Sequence, residues 1–168
     1  MVDNIDKPAL SALWPNKKGM SVVLDLGANI ECSSKNLFDF AIMGASLYTS
    51  LYPTVKPHVA LLNIGSEELK GNEVIKETYQ ILNEKKSNNY EFSGYIEGND
   101  LMNGKVNVIV SDGFTGNVAL KTAEGTANFI TSELKKAMTG SIMGKLSSLL
   151  NISNLKKFKK RLDPRLYN

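Results

Sequence analysis

Residues 106–117, VNVIVSDGFTGN, decide the fold that we predict for this chain. The run 106–110 is apolar and rich in β-branched residues, which is typical of a buried strand. The six residues that follow Ser111 contain two glycines, an acid and an amide, and a helical pattern then extends from about residue 117 to residue 138. A strand, a glycine-rich turn and a helix in this order predict one step of an α/β fold with a largely parallel sheet.

Two other stretches repeat this design. Residues 24–29, LDLGAN, overlap the end of the apolar run 21–26, and residues 61–68, LLNIGSEE, overlap the end of the apolar run 58–64. Each run is short enough for a strand, and each turn contains glycine and asparagine. The repetition strengthens the prediction of strands that alternate with helices.

The remaining elements follow from local signals. A serine cap predicts a helix from about Lys35, and Ser66 followed by two acids predicts the start of a second helix. Residues 92–96 alternate weakly and predict a further strand. We predict that residues 1–19 are irregular, because prolines and a glycine punctuate them.

The three turns have two interpretations. Ligands of open α/β sheets bind at the carboxyl ends of the strands, where glycines and helix N-termini present backbone N–H groups to anions. Three such turns therefore predict a polar pocket at one edge of the sheet. Taken singly, however, glycine after a strand is ordinary turn chemistry, and asparagine tolerates unusual backbone angles.

The turn 112–117 carries the strongest chemical signal. Asp112 is suited to act as a base, to orient a substrate group or simply to cap the turn, and the sequence leaves these three roles open. Lys121 follows Asn117 by four residues and therefore lies on the same helix face. Glu124 is placed to pair with Lys121.

Composition excludes several classes of protein. The chain has 168 residues, 42% hydrophobic and 22% charged, which fits one soluble domain or a large piece of one and excludes disorder. One cysteine, Cys32, and one histidine, His58, exclude a disulfide scaffold and a tetrahedral zinc site, and they disfavour a Ser-His-Asp or Cys-His device. We predict no metal and no cofactor.

Charge is distributed unevenly along the chain. Residues 133–168 contain nine basic and two acidic residues, whereas residues 1–132 contain eleven basic and fifteen acidic ones. Eighteen of the twenty basic residues are lysine, so an anion site must rely on lysine and on backbone N–H groups. We assign residues 1–140 to an α/β core portion and residues 141–168 to a basic amphipathic helical segment of the same domain.

The basic segment predicts a docking surface. Basic amphipathic helices bind membrane surfaces or partner proteins, although a solvated helix face packed on its own domain or on a dimer partner is the alternative. Aromatic residues are too few here for nucleic-acid binding, which we exclude. The predicted docking residues are Ile142, Met143, Lys145, Leu146, Leu149, Leu150, Lys156, Lys157 and Lys160.

Two sequence features bear on location. No apolar run approaches the roughly 18 residues that a membrane span needs. The N-terminal residues 1–7 lack the apolar core of a signal peptide. We therefore expect a cytoplasmic protein.

Six blocks of the sequence resemble the PlsX family of phosphate acyltransferases. The resemblance covers nearly the whole chain, and two of the blocks are long and specific. The blocks are LDLGAN (24–29), FAIMG (40–44), LLNIGSEELKGN (61–72), GYIEGND (94–100), DGFTGNVALKTAEG (112–125) and LDPRLY (162–167).

The resemblance implies a fold and an activity. It implies a three-layer α/β/α sandwich similar to phosphotransacetylases and isocitrate dehydrogenases, usually dimeric. It implies transfer of a fatty acyl group from acyl carrier protein to inorganic phosphate, giving an acyl phosphate for phospholipid synthesis. It also implies a cytoplasmic protein that associates peripherally with the inner face of the cell membrane.

The predicted site follows from this chemistry. Phosphate attacks a thioester without an enzyme nucleophile, so the site must position two anions and supply preorganised donors. We predict Asp112 and Lys121 as catalytic residues. The predicted substrate-binding residues are Asn29, Asn63, Gly65, Lys70, Gly113, Thr115, Gly116 and Asn117.

The sequence also departs from the family pattern. An initial D-A-M-G-G-D motif and a closing G-G-A-x-L-L-G segment are absent, so we expect a chain that is incomplete at both ends. An inactive fragment that retains only lipid or partner binding is the alternative. A nicotinamide-dependent dehydrogenase is a weaker alternative, because no G-x-G-x-x-G fingerprint follows a strand.

Overall fold

The computed structural model describes residues 5–67, 70–141, 143, 147 and 150–162. Residues 159–162 are described by their backbone alone. The described part contains a five-stranded sheet with the spatial order β1-β2-β5-β3-β4. The strands are β1 (Ser11–Asn16), β2 (Gly19–Leu24), β3 (His58–Asn63), β4 (Glu91–Glu97) and β5 (Val108–Val110). The pairs β2–β5, β5–β3 and β3–β4 are parallel, whereas β1 pairs with β2 in the antiparallel direction.

The helices alternate with the parallel strands. They are α1 (Ser34–Leu51), α2 (Glu73–Glu84), α3 (Gly113–Thr139) and α4 (Ile152–Leu162), and a short 3-10 turn covers Gly98–Asp100. None of the described helices has the length and apolar character to cross a membrane. The prediction of an α/β fold with a mostly parallel sheet is confirmed.

Two compact units make up the chain, Met1–Ala119 and Leu120–Asn168. The first contains the whole described sheet with α1 and α2. The second contains most of α3 together with α4. The polar pocket predicted at the sheet edge therefore belongs to the first unit.

The core of the first unit lies between the sheet and the helices α1 and α2. Val22, Leu24, Val59 and Val108 of the central strands are each at most 2% exposed. Gly44 lets α1 approach them closely, since an added Cβ would lie 2.5 Å from Val108 Cγ1. Strands buried in this way read as continuous apolar runs, which is why the sequence located them.

The prediction that residues 1–19 are irregular is wrong for residues 11–16 and for Gly19, which belong to strands. Strand β1 occupies Ser11–Asn16, with Trp14 opposite Ser21 and Pro15 opposite Met20. Proline cannot donate to a ladder, but an edge strand tolerates it. Pairing with β2 overrides the local turn signal.

The prediction that a helix starts at Ser66 is also wrong, because α2 begins at Glu73 after the cap Asn72, whose Oδ1 accepts from Ile75 N. The Asn63 side chain instead donates to the carbonyls of Gly65 (3.1 Å) and Lys70 (3.0 Å). These bonds hold the described residues of the segment as a loop.

Candidate active site

A cleft of about 290 Å³ opens in the first unit, near the carboxyl ends of the central strands. The residues before α1, α2 and α3 are Ser33, Asn72 and Asp112, and the side chain of each caps its helix. The residues that line the cleft are Ile30, Glu31, Cys32, Leu37, Asn72, Val74, Ile75, Asp112, Phe114 and Thr115.

The buried carboxylate of Asp25 organises the turn after β2. Its Oδ1 accepts from the backbone N–H groups of Leu10 (3.0 Å), Gly27 (3.1 Å) and Ala28 (3.0 Å). Its Oδ2 accepts from the backbone and the side chain of Asn29, both at 2.8 Å. One side chain therefore fixes the conformation of the whole turn.

Two opposing effects set the pKa of Asp25. Burial, the largest effect, would raise the pKa because it disfavours the charged form. Hydrogen bonds from Ala28, Asn29 and Leu10 together outweigh burial and hold the pKa below its ordinary value. Asp25 is thus an ionised, fully bonded anchor.

Asn29 joins this turn to the start of α3. Its carbonyl accepts from Gly113 N at 2.8 Å, and its side-chain amide donates to the carbonyl of Pro8 at 2.7 Å. The predicted substrate-binding role of Asn29 stays a prediction. The structure shows that the residue connects Pro8, the turn and the helix.

Gly113 and Gly116 allow α3 to lie directly against this turn. A Cβ on Gly113 would lie 2.6 Å from the Asn29 carbonyl oxygen. A Cβ on Gly116 would overlap the carbonyl oxygen of Asp25 and lie 2.7 Å from Ser111 Oγ. Packing alone therefore explains both glycines, and their contact with substrate remains a prediction.

Asp112 caps α3. Its two carboxylate oxygens accept from Thr115 N and Thr115 Oγ1, each at 2.8 Å. Of the three roles that the sequence left open, the structure shows capping, and a catalytic role stays a prediction.

Asn117 is exposed and packs beside Gly27, whose φ of +136° favours glycine.

The predicted residues of the first unit fall into three groups, and the first of them, around the turn after β2, comprises Asn29, Gly113, Gly116 and Asn117. Asp112 and Thr115 line the cleft itself. Asn63 ends β3, and its side chain bonds to the following loop, where Gly65 is buried and Lys70 is exposed. The cap Asn72 links this loop to the cleft wall.

Sequence reasoning missed the apolar residues of the cleft. Ile30 is 71% exposed and Phe114 is 62% exposed, although both are large hydrophobic side chains. The sequence did offer one indication of their role, because each lies in or next to a polar, glycine-containing turn.

Cys32 also lines the cleft. Burial raises the pKa of its thiol, as do the charges of Asp25 and Asp112, whereas the Gly113 backbone lowers it. A thiol with a raised pKa is a poor nucleophile. Among the residues that the structure describes, no three His, Cys, Asp or Glu side chains are grouped to hold a metal ion.

The second unit carries Lys121 and the predicted docking residues. Lys121 Nζ pairs with Glu124 Oε2 at 2.8 Å, as the helical spacing predicted. Met143 and Leu150 are exposed, and so are Lys156 and Lys157 on α4. Outside the described residues lie Ile142, Lys145, Leu146, Leu149 and the side chain of Lys160.

A comparison with protein families shows which family the chain belongs to. The family model described as fatty acid synthesis protein matches residues 1–168. The chain belongs to this family. The resemblance found in the sequence blocks is thereby confirmed.

Curated relatives of the chain share the name phosphate acyltransferase. The phosphate acyltransferase of Pelagibacter ubique (strain HTCC1062) is 80% identical over 168 residues, which are 100% of this chain and 50% of the relative. That of Maricaulis maris (strain MCS10) is 45% identical over 170 residues, which cover 100% of this chain and 48% of the relative. The chain thus spans about half the length of these relatives.

Solved structures support the fold of this family member. The EutD phosphotransacetylase from Staphylococcus aureus superposes with a TM-score of 0.60 at 15% identity, covering 75% of this chain and 44% of that one. A phosphotransacetylase from Streptococcus pyogenes gives a TM-score of 0.58 at 15% identity, covering 74% of this chain and 43% of that one. The phosphotransacetylase-like fold predicted from the sequence is confirmed for this part.

Proposed function

We propose that this chain is part of a phosphate acyltransferase that transfers a fatty acyl group from acyl carrier protein to inorganic phosphate. A phosphate oxygen attacks the thioester carbonyl carbon, the C–O bond forms, the C–S bond breaks, and the thiolate leaves and takes up a proton. The product acyl phosphate serves phospholipid synthesis. The observation that carries the proposal is the cleft at the carboxyl ends of the strands, whose lining is half apolar and half polar.

The reaction needs positioning more than it needs an enzyme nucleophile. Lys70 precedes the Asn72 cap by two residues and is exposed, and we propose that its ammonium supplies positive charge for phosphate on this side of the site. Asn63 and Gly65 shape the loop that carries Lys70. We assign phosphate to this loop side, with the Asn117 amide as a predicted contributor. The N–H groups of Gly113 and Gly116 donate to the carbonyls of Asn29 (2.8 Å) and Asp112 (2.9 Å), so we propose that these two glycines serve the site through close packing.

The activity itself is tested by incubating the chain with acyl-acyl carrier protein and phosphate. The expected result is release of free thiol that requires phosphate, together with an acyl phosphate trapped as its hydroxamate. Thiol release that is the same with and without phosphate would contradict the proposal. No thiol release at all would support the alternative of an inactive fragment that retains only lipid or partner binding.

Lys121 is the predicted cationic partner of phosphate. We expect Lys121→Ala to raise the KM for phosphate about tenfold or more, because a charge-assisted hydrogen bond is worth about 1.5–3 kcal/mol. The control is Lys136→Ala, since Lys136 lies on the same helix and pairs at 2.7 Å with an acid three residues away, Glu133, although here the acid precedes the lysine. Equal phosphate KM values in the two variants would remove Lys121 from the site.

The basic end of the second unit supports docking on an anionic surface, either anionic lipid or acyl carrier protein. We propose a cytoplasmic protein that docks peripherally on the membrane and acts as a homodimer. Lys156→Gln combined with Lys157→Gln is expected to weaken binding to anionic liposomes about tenfold or more, since each lysine contributes ~1 kcal/mol near such a surface.

Liposome co-sedimentation at several salt concentrations measures this binding. The matched control is Lys17→Gln with Lys18→Gln, an exposed adjacent pair in the first unit. Docking through α4 is supported if liposome binding is salt-sensitive and is weakened by the Lys156 and Lys157 substitutions but not by the control substitutions. If binding is independent of salt, or if both pairs of substitutions weaken it equally, docking through α4 is contradicted. The alternative, in which this helix face packs on protein, is then favoured.

A further inference from the structure

We infer that the cleft of the first unit holds the hydrocarbon chain of the acyl group and excludes phosphate, so that Phe114 and Ile30 determine how strongly longer chains bind. This inference rests on the proposed acyl transfer. It assigns a binding role to two residues outside the predicted site and separates the acyl side of the site from the phosphate side.

The lining of the cleft favours an apolar ligand. Five of its ten lining residues are aliphatic or aromatic, and the charged residues among those described in the lining are Glu31 and Asp112, both acidic. Two carboxylates at the same cleft repel a phosphate dianion. A neutral thioester with a hydrocarbon tail meets no such repulsion.

The helix N-termini at the cleft are already capped by side chains. Thr115 N donates to Asp112 Oδ1 at 2.8 Å, and Ile75 N donates to Asn72 Oδ1 at 2.9 Å. Donors engaged in this way are not open to an anion unless the cap moves. Both the charge and the hydrogen bonding therefore direct phosphate away from the cleft.

Burial distinguishes the floor of the cleft from its rim. Leu37 is 1% exposed and Ile75 is 5% exposed, so these two side chains form a fixed floor that belongs to the protein core. Ile30 and Phe114 are 71% and 62% exposed, so they form an apolar rim in contact with water. An alkyl chain that covers the rim removes this apolar surface from water, which is favourable.

The size of the cleft limits how much of the chain it takes. A volume of about 290 Å³ is at the lower end of the roughly 300–1,000 Å³ range of small-ligand pockets. A long fatty acyl chain therefore fills the cleft with its first methylenes and leaves the rest outside. Affinity should rise with chain length and then level off.

The test measures binding of neutral thioesters without phosphate. The probes are S-acyl-N-acetylcysteamines with acetyl, butyryl, hexanoyl, octanoyl and decanoyl groups, titrated calorimetrically into the full chain. Each added methylene is expected to tighten binding about threefold to fourfold until the cleft is full. Phe114→Ala should weaken octanoyl binding about fivefold to tenfold and leave acetyl binding unchanged.

The control is Ile64→Ala. Ile64 is 82% exposed and lies outside the cleft lining, so its loss should leave the whole series unchanged. Affinity that is independent of chain length would overturn the inference, as would a Phe114→Ala variant with the wild-type dependence on chain length.

Adding phosphate to the same thioesters tests the proposed function separately. Chain-length-dependent binding without phosphate-dependent thiol release leaves the acyl site standing and contradicts the activity. Phosphate-dependent release without chain-length dependence contradicts the acyl site and leaves the activity standing.

Discussion

Replacing Gly116 by alanine is expected to destabilise the first unit by about 3 kcal/mol. The new Cβ would overlap the Asp25 carbonyl oxygen and press on Ser111 Oγ. Both residues are buried and are hydrogen-bonded to each other directly after β2 and β5. Forcing atoms into a packed core costs about 1–3 kcal/mol. Backbone yields less readily than side chain, so we expect a loss at the upper end of that range.

Urea unfolding followed by Trp14 fluorescence measures this effect. Trp14 is the only tryptophan and is 4% exposed within β1, so its emission reports on the first unit. The matched control is Gly98→Ala, because an added Cβ there meets no atom within 4 Å. A Gly116→Ala midpoint equal to that of Gly98→Ala would show that α3 does not press on the turn.

Replacing Asp25 by asparagine is expected to cost about 3 kcal/mol and to remove part of the pH dependence of stability. The carboxylate accepts from Leu10, Gly27, Ala28 and Asn29, and hydrogen bonds to a charged group contribute about 1.5–3 kcal/mol each. Asparagine keeps the shape but presents an amide group to one set of donors. Several of these bonds are therefore lost or weakened together.

The direction of the pH effect follows from the lowered pKa. The ordinary value is 3.8 and the folded value lies below it, so at low pH the unfolded chain takes up the proton before the folded chain does. Ionised Asp25 therefore contributes stability that is complete above the ordinary value and is lost as the pH falls through the folded value. Wild-type stability should fall in this window more steeply than that of Asp25→Asn.

Urea midpoints at pH values on both sides of 3.8 measure the difference. The control is Asp100→Asn, since the pKa of Asp100 is also lowered, mainly by its hydrogen bonds from Lys105 and Asn103. The side chain of Asp100 is 24% exposed whereas Asp25 is fully buried, so the loss of Asp100 should change the midpoint much less at neutral pH. Equal losses from the two variants at neutral pH would contradict the anchoring role of Asp25.

The location of the candidate site was predictable from the sequence, but only some of its residues were. The order of strand, glycine-rich turn and helix placed Asp112 and Thr115 at the sheet edge, and the structure brings both to the cleft. Asp25 was passed over because its importance comes from burial and from donors in the turn and at Leu10, neither of which a motif displays. Phe114 was passed over because a single apolar residue in a polar turn has no periodicity.

The sequence by itself determined that this chain forms a mostly parallel α/β fold and belongs to a family of fatty acid synthesis proteins. Buried strands, helix periodicity and turn glycines are local signals, so short windows reveal them. The tertiary structure alone decided that residues Ser11–Asn16 form an edge strand and that the helix predicted at Ser66 starts at Glu73. It also decided that Asp25 and Gly116 hold the turn against α3, because such contacts join residues that are far apart in the chain.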